Sequence, residues 1–326
     1  MTKHQAAATT LFPPEWAERT ALIIEPSGAA VTFAELEERS FRVAEFLRAN
    51  GLRAGDTIAV LLANTVECLE IVWGAERCGL YHVGIDPRSM VTDVRCLITD
   101  CGAKVVFTSA EFSEVATAAV PDSVRLKVMM SRQEEGRPDW LDYDESIGSQ
   151  SPVGDQHESE VRPHASGVTG RSVKILQDPS DGSGVTYSNR PGVWLSQQLG
   201  FAEGDVYLTP APLHHAAALA WAMSAHRLGG TVVLMESFDA AHALELIELH
   251  RVTHSHWVPT MFVRMLDLSA AVREMYDLSS HRYAIYSAAP CPVEVMRAMI
   301  EWWGPILFEF YSSSADAGVT AISSID

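Results

Sequence analysis

Between Thr32 and Ala110 the sequence switches repeatedly between a helical period and short, wholly apolar runs, a pattern few folds accept. "TFAELEERSFRVAEFLRANG" opens with Thr32 and carries Glu35 three residues on, a capping box in which each side chain answers the other's backbone N–H. Phe33, Leu36, Val43, Phe46 and Leu47 share one helical face, and Asn50-Gly51 supplies the stop. "DTIAVLLA" then reads as a buried strand. "NTVECLEIVWGAERCG" repeats the scheme, with Asn64 and Glu67 as a second capping box. "LYHVGID" is a strand, "VTDVRCLITDCG" a helix and "AKVVFTSA" a strand. The same alternation returns late in the chain. "DVYLTPAP", "TVVLMES", "VTHSHWVP", "RYAIYSAA" and "PILFEFYSS" read as strands, with "AHALELIELHR" and "CPVEVMRAMIEWWG" as helices between them. Strict turn-taking of this kind predicts an α/β fold of two doubly wound, largely parallel sheet subdomains.

From about Ser131 to Gly192 the texture is polar, rich in Gly, Ser, Pro and Asp, and without periodicity. A connector of that length inside a domain is usually functional, disordered, or both. The boundary expected from it gives residues 1–165 to a first subdomain ending in the connector, and 166–326 to a second. "RQEEGRPDWLDYDE" reads as a solvated surface segment. The formal net charge of −18 repels phosphate backbones, which argues against nucleic acid as a partner. Cys68, Cys78, Cys96, Cys101 and Cys291 form no C-x-x-C pair and are odd in number, so buried free thiols of a reducing compartment are expected. With no signal-peptide pattern at the start and no apolar run of about 18 residues, the expected location is the cytoplasm, without a membrane span.

Four landmarks occur in one order: "SGVTGRSVK", "PAPLHHAAALAW", "SAAPCPVEV" and "EFYSSSADAG". Together with the early alternating stretch they resemble the adenylate-forming acyl-CoA synthetase family, which includes luciferases and peptide-synthetase adenylation domains. The resemblance covers nearly the whole chain but only the larger, N-terminal domain of a family member, including part of a small β subdomain. Family members continue from this point into a Thr-Gly-Asp segment, a hinge and a small lysine-bearing C-terminal domain, which the sequence to Asp326 does not contain, whether as a piece of a longer polypeptide or as a truncated protein. The family reaction joins a carboxylate to the α-phosphate of ATP, releasing pyrophosphate, and then transfers the acyl group to the thiol of CoA.

Carried over position by position, the resemblance implies that Ala288, Ala289 and Pro290 lie against the adenine. Tyr311 would stack on the base, beside Ser312, and Ser314 would contact the α-phosphate. His215 would act at the acyl pocket beside the phosphate, with His214, Trp257 and Thr260 lining that pocket. Ser166, Gly167, Thr169, Gly170 and Lys174 would be what remains of a phosphate loop. That loop runs Ser-Gly-Thr-Thr-Gly-x-Pro-Lys-Gly in the family. Here Val168 replaces a threonine, Ser172 the proline, Val173 the lysine and Lys174 the last glycine. Ala315 stands where a magnesium-binding glutamate is expected, with Asp316 beside it.

Both departures fall on the side of the site that grips the β- and γ-phosphates. Losing one such electrostatic partner commonly costs about 2.7–4 kcal/mol, or roughly 10²–10³ in rate. An acyl-adenylate carries neither phosphate. The expected activity is therefore that of an acyl-CoA ligase homologue weak in ATP–magnesium chemistry. It would take a hydrophobic carboxylic acid as its adenylate, supplied by a separate adenylating enzyme, and pass the acyl group to CoA. Two alternatives stand beside it: an ordinary two-step ligase in which Asp316 replaces the carboxylate, and a non-catalytic adenylate-binding partner. His254 and His256 fall on one face of a strand with no matching ligand pattern, so packing or hydrogen bonding is expected there and no metal. Trp302 and Trp303 read as core.

Overall fold

The computed structural model describes residues 10–131, 139–150, 191–312 and 319–324. The chain divides into two compact units, and each matches the predicted α/β plan. Thr20–Ala30 and Ala63–Thr65, early in the chain, belong to the later unit. The reason for the first of these is strand pairing. β1 (Thr20–Glu25) and β2 (Ala29–Thr32) join the later unit's sheet, with Leu22 of β1 opposite Val232 in a parallel ladder.

The first unit is a five-stranded parallel sheet. Its elements are α1 (Phe33–Ala49), β3 (Thr57–Leu61), α2 (Val66–Arg77), β4 (Tyr81–Gly84), α3 (Val91–Cys101), β5 (Val105–Ser109), α4 (Ser113–Ala119), β6 (Leu126–Met130), β7 (Leu141–Asp142) and α5 (Tyr143–Gly148). The strand order is β4-β3-β5-β6-β7. α1 starts as its sequence dictates: the Glu35 N–H donates to Thr32 Oγ1 at 3.2 Å and the Thr32 N–H to Glu35 Oε2 at 2.8 Å. All five apolar side chains assigned to its inner face are buried. α1 packs closely on α2, because a Cβ on Gly74 would lie 2.6 Å from the Cβ of Val43.

Two expectations are corrected in this unit. α2 begins at Val66, and Asn64 does not cap it; its side chain bonds elsewhere, as described below. The segment read as solvated surface holds β7 and the first turn of α5, with Trp140 and Tyr143 buried, Ile147 buried just beyond it, and Asp142 accepting the Glu145 N–H as N-cap. Those three apolar residues follow helical spacing, which the surrounding charges obscured.

The second unit holds β1, β2, α6 (Pro191–Gln198), β8 (Val206–Thr209), α7 (Ala216–Arg227), β9 (Thr231–Met235), α8 (Ala240–Leu249), β10 (His254–Trp257), α9 (Pro259–Leu266), α10 (Ala270–Arg273), β11 (Tyr283–Tyr286), α11 (Val293–Trp303), β12 (Leu307–Ser312) and β13 (Val319–Ser323). Its eight-stranded sheet has the order β13-β12-β11-β10-β8-β9-β1-β2. The ladders from β12 through to β1 are parallel, and β13 pairs antiparallel with β12. From β8 the chain steps to one side to make β9, then returns to lay β10 on the other side of β8. That reversal is a topological switch point. A core of Leu208, Val233, Leu244, Trp257, Phe262, Met265, Tyr286 and Met299 fills one face, with Trp302 and Trp303 packed partly buried against it.

Cys68, Cys78 and Cys101 are buried free thiols as expected, whereas Cys96 on α3 is exposed. No helix among the described residues is long and apolar enough to cross a membrane.

Candidate functional site

In an open α/β sheet, ligands bind outside the carboxyl ends of the strands, at the switch point. In the second unit that rule selects the segments after β8, β10, β11 and β12. The segment after β8 runs through Ala211, Pro212 and Leu213 to His214 and His215. His215 is exposed and occupies the N-cap position of α7, its carbonyl accepting the Leu219 N–H at 3.1 Å and its own N–H donating to the Pro212 carbonyl at 3.0 Å. The His214 ring is half-buried, with its centroid 4.3 Å from that of His215. The first turn of α7 is Ala216, Ala217 and Ala218, small side chains beside the positive end of a helix.

β10 alternates as its histidines predict. His254 and His256 point to one face of the sheet, Ser255 and Trp257 to the other. His254 Nε2 lies 3.0 Å from the Leu199 carbonyl, and its ring stacks on Tyr283. His256 Nε2 lies 2.9 Å from Ser287 Oγ, just beyond the end of β11. Burial depresses both histidines to about 4, and the nearby His215 depresses His256 further, so both are neutral at pH 7. Among the described residues no group of three His, Cys, Asp or Glu side chains is placed to hold a metal ion.

After β11 the chain turns sharply. Ala288 has φ +76°, in the left-handed region that a non-glycine residue enters at a cost of about 1–3 kcal/mol. Such strain gathers at sites of function, and Ala288, Ala289 and Pro290 are all exposed there. On the neighbouring strand Tyr286 pairs with Glu309, so the turn at Ala288 and the end of β12 at Tyr311 leave the sheet from adjacent strands. Tyr311 is 75% exposed, unusual for so large a ring. Below it, the Tyr286 hydroxyl donates to Glu309 Oε2 at 3.0 Å.

The residues expected from the sequence thus divide. His214, His215, Ala288, Ala289, Pro290, Tyr311 and Ser312 share one edge of one sheet. Trp257 does not open on that edge: it is wholly buried among Phe238, Phe262 and Trp303, and its indole N–H donates to Ser255 Oγ. Thr260 is exposed in the first turn of α9. Ser166, Gly167, Thr169, Gly170, Lys174, Ser314, Ala315 and Asp316 lie outside the described residues. The sequence reading missed the His256–Ser287 bridge and Asn64. A histidine one residue from a strand end and an asparagine in a strand-to-helix turn were the available signals.

Three comparisons bear on this arrangement. The model of the family described as AMP-binding enzyme matches residues 12–323. Over 310 residues the chain is 27% identical to 4-coumarate–CoA ligase 1 of Oryza sativa subsp. japonica, covering 91% of this chain and 54% of that protein. It is 32% identical over 279 residues to feruloyl-CoA synthase of Amycolatopsis sp., covering 84% of this chain and 52% of that protein. Among solved structures, the N-terminal domain of FACL13 from Mycobacterium tuberculosis superposes with a TM-score of 0.74 at 22% identity, covering 90% of this chain and 72% of that one. The chain spans about half the length of the curated relatives it matches.

Proposed function

Because the chain belongs to the AMP-binding enzyme family, we propose that its second unit holds the acyl-adenylate of an acyl-CoA ligase-like reaction. The observation that carries this reading is the edge that presents the exposed Tyr311 ring beside the strained turn at Ala288–Pro290, on the same sheet as His215 at the start of α7. The flat ring of Tyr311 suits stacking on adenine, with Ala288, Ala289 and Pro290 along the base's edge. His215 and the N–H groups opening α7 suit the anionic phosphate and the carbonyl oxygen bonded to it. In the thiol step, sulfur attacks the acyl carbon, the bond from that carbon to the phosphate oxygen breaks, and AMP leaves with the electron pair.

The acid is a hydrophobic carboxylate, its apolar part lying toward Ala216 and Ala217. Relatives named for 4-coumarate and ferulate favour an aryl acid. Trp257, wholly buried in the core, has no part in that pocket, whereas Thr260 is exposed after β10 on the same edge.

Weak ATP chemistry is the finer part of the proposal. It rests on Val168, Val173 and Ala315, which stand where the family has a threonine, a lysine and a glutamate. A chain of this kind draws its adenylate from another enzyme. The second reading, a two-step ligase using ATP and magnesium directly, is favoured by the ligase and synthase names of the relatives.

Calorimetric titration with an aryl or alkyl acyl-sulfamoyl-adenosine, beside ATP with magnesium, separates the readings. Analogue binding at least about a hundredfold tighter than ATP, a gap of about 2.7 kcal/mol, is expected. Comparable binding of both establishes the two-step ligase. Binding of neither removes the adenylate site from this chain.

A further inference from the structure

We propose that Asn64 is the positioning residue that sets His214 and His215 at the head of α7; its functional half rests on the adenylate reading above. Asn64 is 5% exposed and lies in the short Ala63–Thr65 segment that belongs to the second unit. Its side-chain amide is fully used. Nδ2 donates to the Met235 carbonyl at 2.7 Å and to the Ala211 carbonyl at 3.3 Å, and Oδ1 accepts the Leu213 N–H at 2.8 Å.

Those partners are not scattered. Met235 ends β9, while Ala211 and Leu213 belong to the loop that leads from β8 to His215, and β8 and β9 are neighbours in the sheet. One side chain therefore fastens the loop at two points to the end of the adjacent strand. Between and beyond those points Pro212 fixes its own φ, and its carbonyl takes the His215 N–H at 3.0 Å. The chain from Ala211 to His215 has little freedom left, so the imidazoles are aimed by a residue far away in sequence.

Only an amide of this length can do it. The site asks for two donors and one acceptor within hydrogen-bond reach of a single Cγ, in a buried slot. Aspartate matches the shape but loses both donors and sets an oxygen against two carbonyl oxygens. Alanine abandons three buried backbone groups, and glutamine carries one methylene too many for the slot.

The test joins one measurement on the unaltered protein to one variant. By amide hydrogen exchange, the Leu213 N–H of the unaltered protein is expected to exchange roughly a hundredfold more slowly than exposed loop amides. In Asn64→Asp, the His215 imidazole resonances and their titration midpoint, followed by NMR, are expected to move. Affinity for the acyl-sulfamoyl-adenosine falls about tenfold or more. Ile247→Val, a conservative core change in α8, is the control: it lowers the melting temperature and leaves the His215 signals in place. Leu213 exchanging at open-loop rates overturns the proposal, and so do unmoved His215 signals in a folded Asn64→Asp variant. Should that variant fail to fold, Leu213 exchange decides the matter. Should the unaltered protein not bind the analogue, the adenylate reading fails while the His215 signals still report on Asn64.

Discussion

The two units bury polar groups in opposite ways. In the first unit they answer one another. Glu70 takes the Arg39 guanidinium at 3.1 Å on one oxygen and the Tyr143 hydroxyl at 3.0 Å on the other, and Arg77 reaches Ser40 Oγ at 3.1 Å and Glu37 at 2.7 Å. In the second unit four of the buried polar groups are neutral histidines tied to sheet and turn. His226 Nε2 lies 2.9 Å from the Ala21 carbonyl, His254 bonds Leu199, His256 bonds Ser287, and His281 Nε2 lies 2.6 Å from Ser255 Oγ. Closed networks fix a scaffold. Neutral rings of this kind are held by one or two hydrogen bonds each and carry no charge at pH 7. The difference teaches that the two units answer acid in different ways.

Acid is the strongest way to break the comparison. Burial lowers His226, His254 and His256 to about 4 and His281 to about 3, against about 6.5 in an unfolded chain. Above pH 6.5 both states are neutral and this stability is intact. Below it the unfolded chain takes up protons that the native rings refuse, so stability falls between about pH 6.5 and 4, and on to about 3 for His281. Each ring contributes about 1.4 kcal/mol per pH unit in that window, so a loss of at least several kcal/mol is expected. Glu70 works the other way. Burial raises its carboxyl despite Arg39, so its contribution is full at low pH and lost as pH rises through the native value. Hydrogen exchange followed down the pH scale should therefore show the second unit opening first.

Smaller tests follow. Trp257→Ala, by emptying the centre of the second core, should cost about 3–5 kcal/mol in denaturant unfolding. A ring lining an open pocket would cost much less. In the first unit, Gly74→Ala should cost about 1–3 kcal/mol despite alanine's better helix propensity, because its Cβ meets Val43 at 2.6 Å and the Ser40 carbonyl at 2.9 Å. Tyr311→Ala should leave the melting temperature within a degree or two, as an exposed ring does little for folding. Analogue affinity should nonetheless fall about tenfold or more through lost stacking on the base.

Much of the fold was legible because local signals agreed with it. Thr32 and Glu35 cap α1 as read, and the apolar runs became the strands of parallel sheets. The failures have one cause, which is that sequence reports types and not partners. Asn64 has the look of a helix cap because asparagine is a good one; a residue nearly 150 positions away claims its side chain. Trp257 sits within a motif-bearing strand, yet the period of two turns it inward while His256 faces the other way. Trp140 and Tyr143 were hidden by the charges around them. At the site, the structure puts the segments of His215, Ala288 and Tyr311 at the carboxyl ends of strands of one sheet.

The left-handed turn at Ala288 has a consequence for entropy. A glycine at that position would relieve strain but roam over far more of φ/ψ space, and a ligand would have to freeze that roaming on arrival. The methyl group of Ala288 narrows the turn to a small basin before any ligand comes. The folded chain bears a standing cost so that the bound state loses less freedom. Ala288→Gly would therefore make a protein at least as stable, but slower to let go of disorder when its ligand binds.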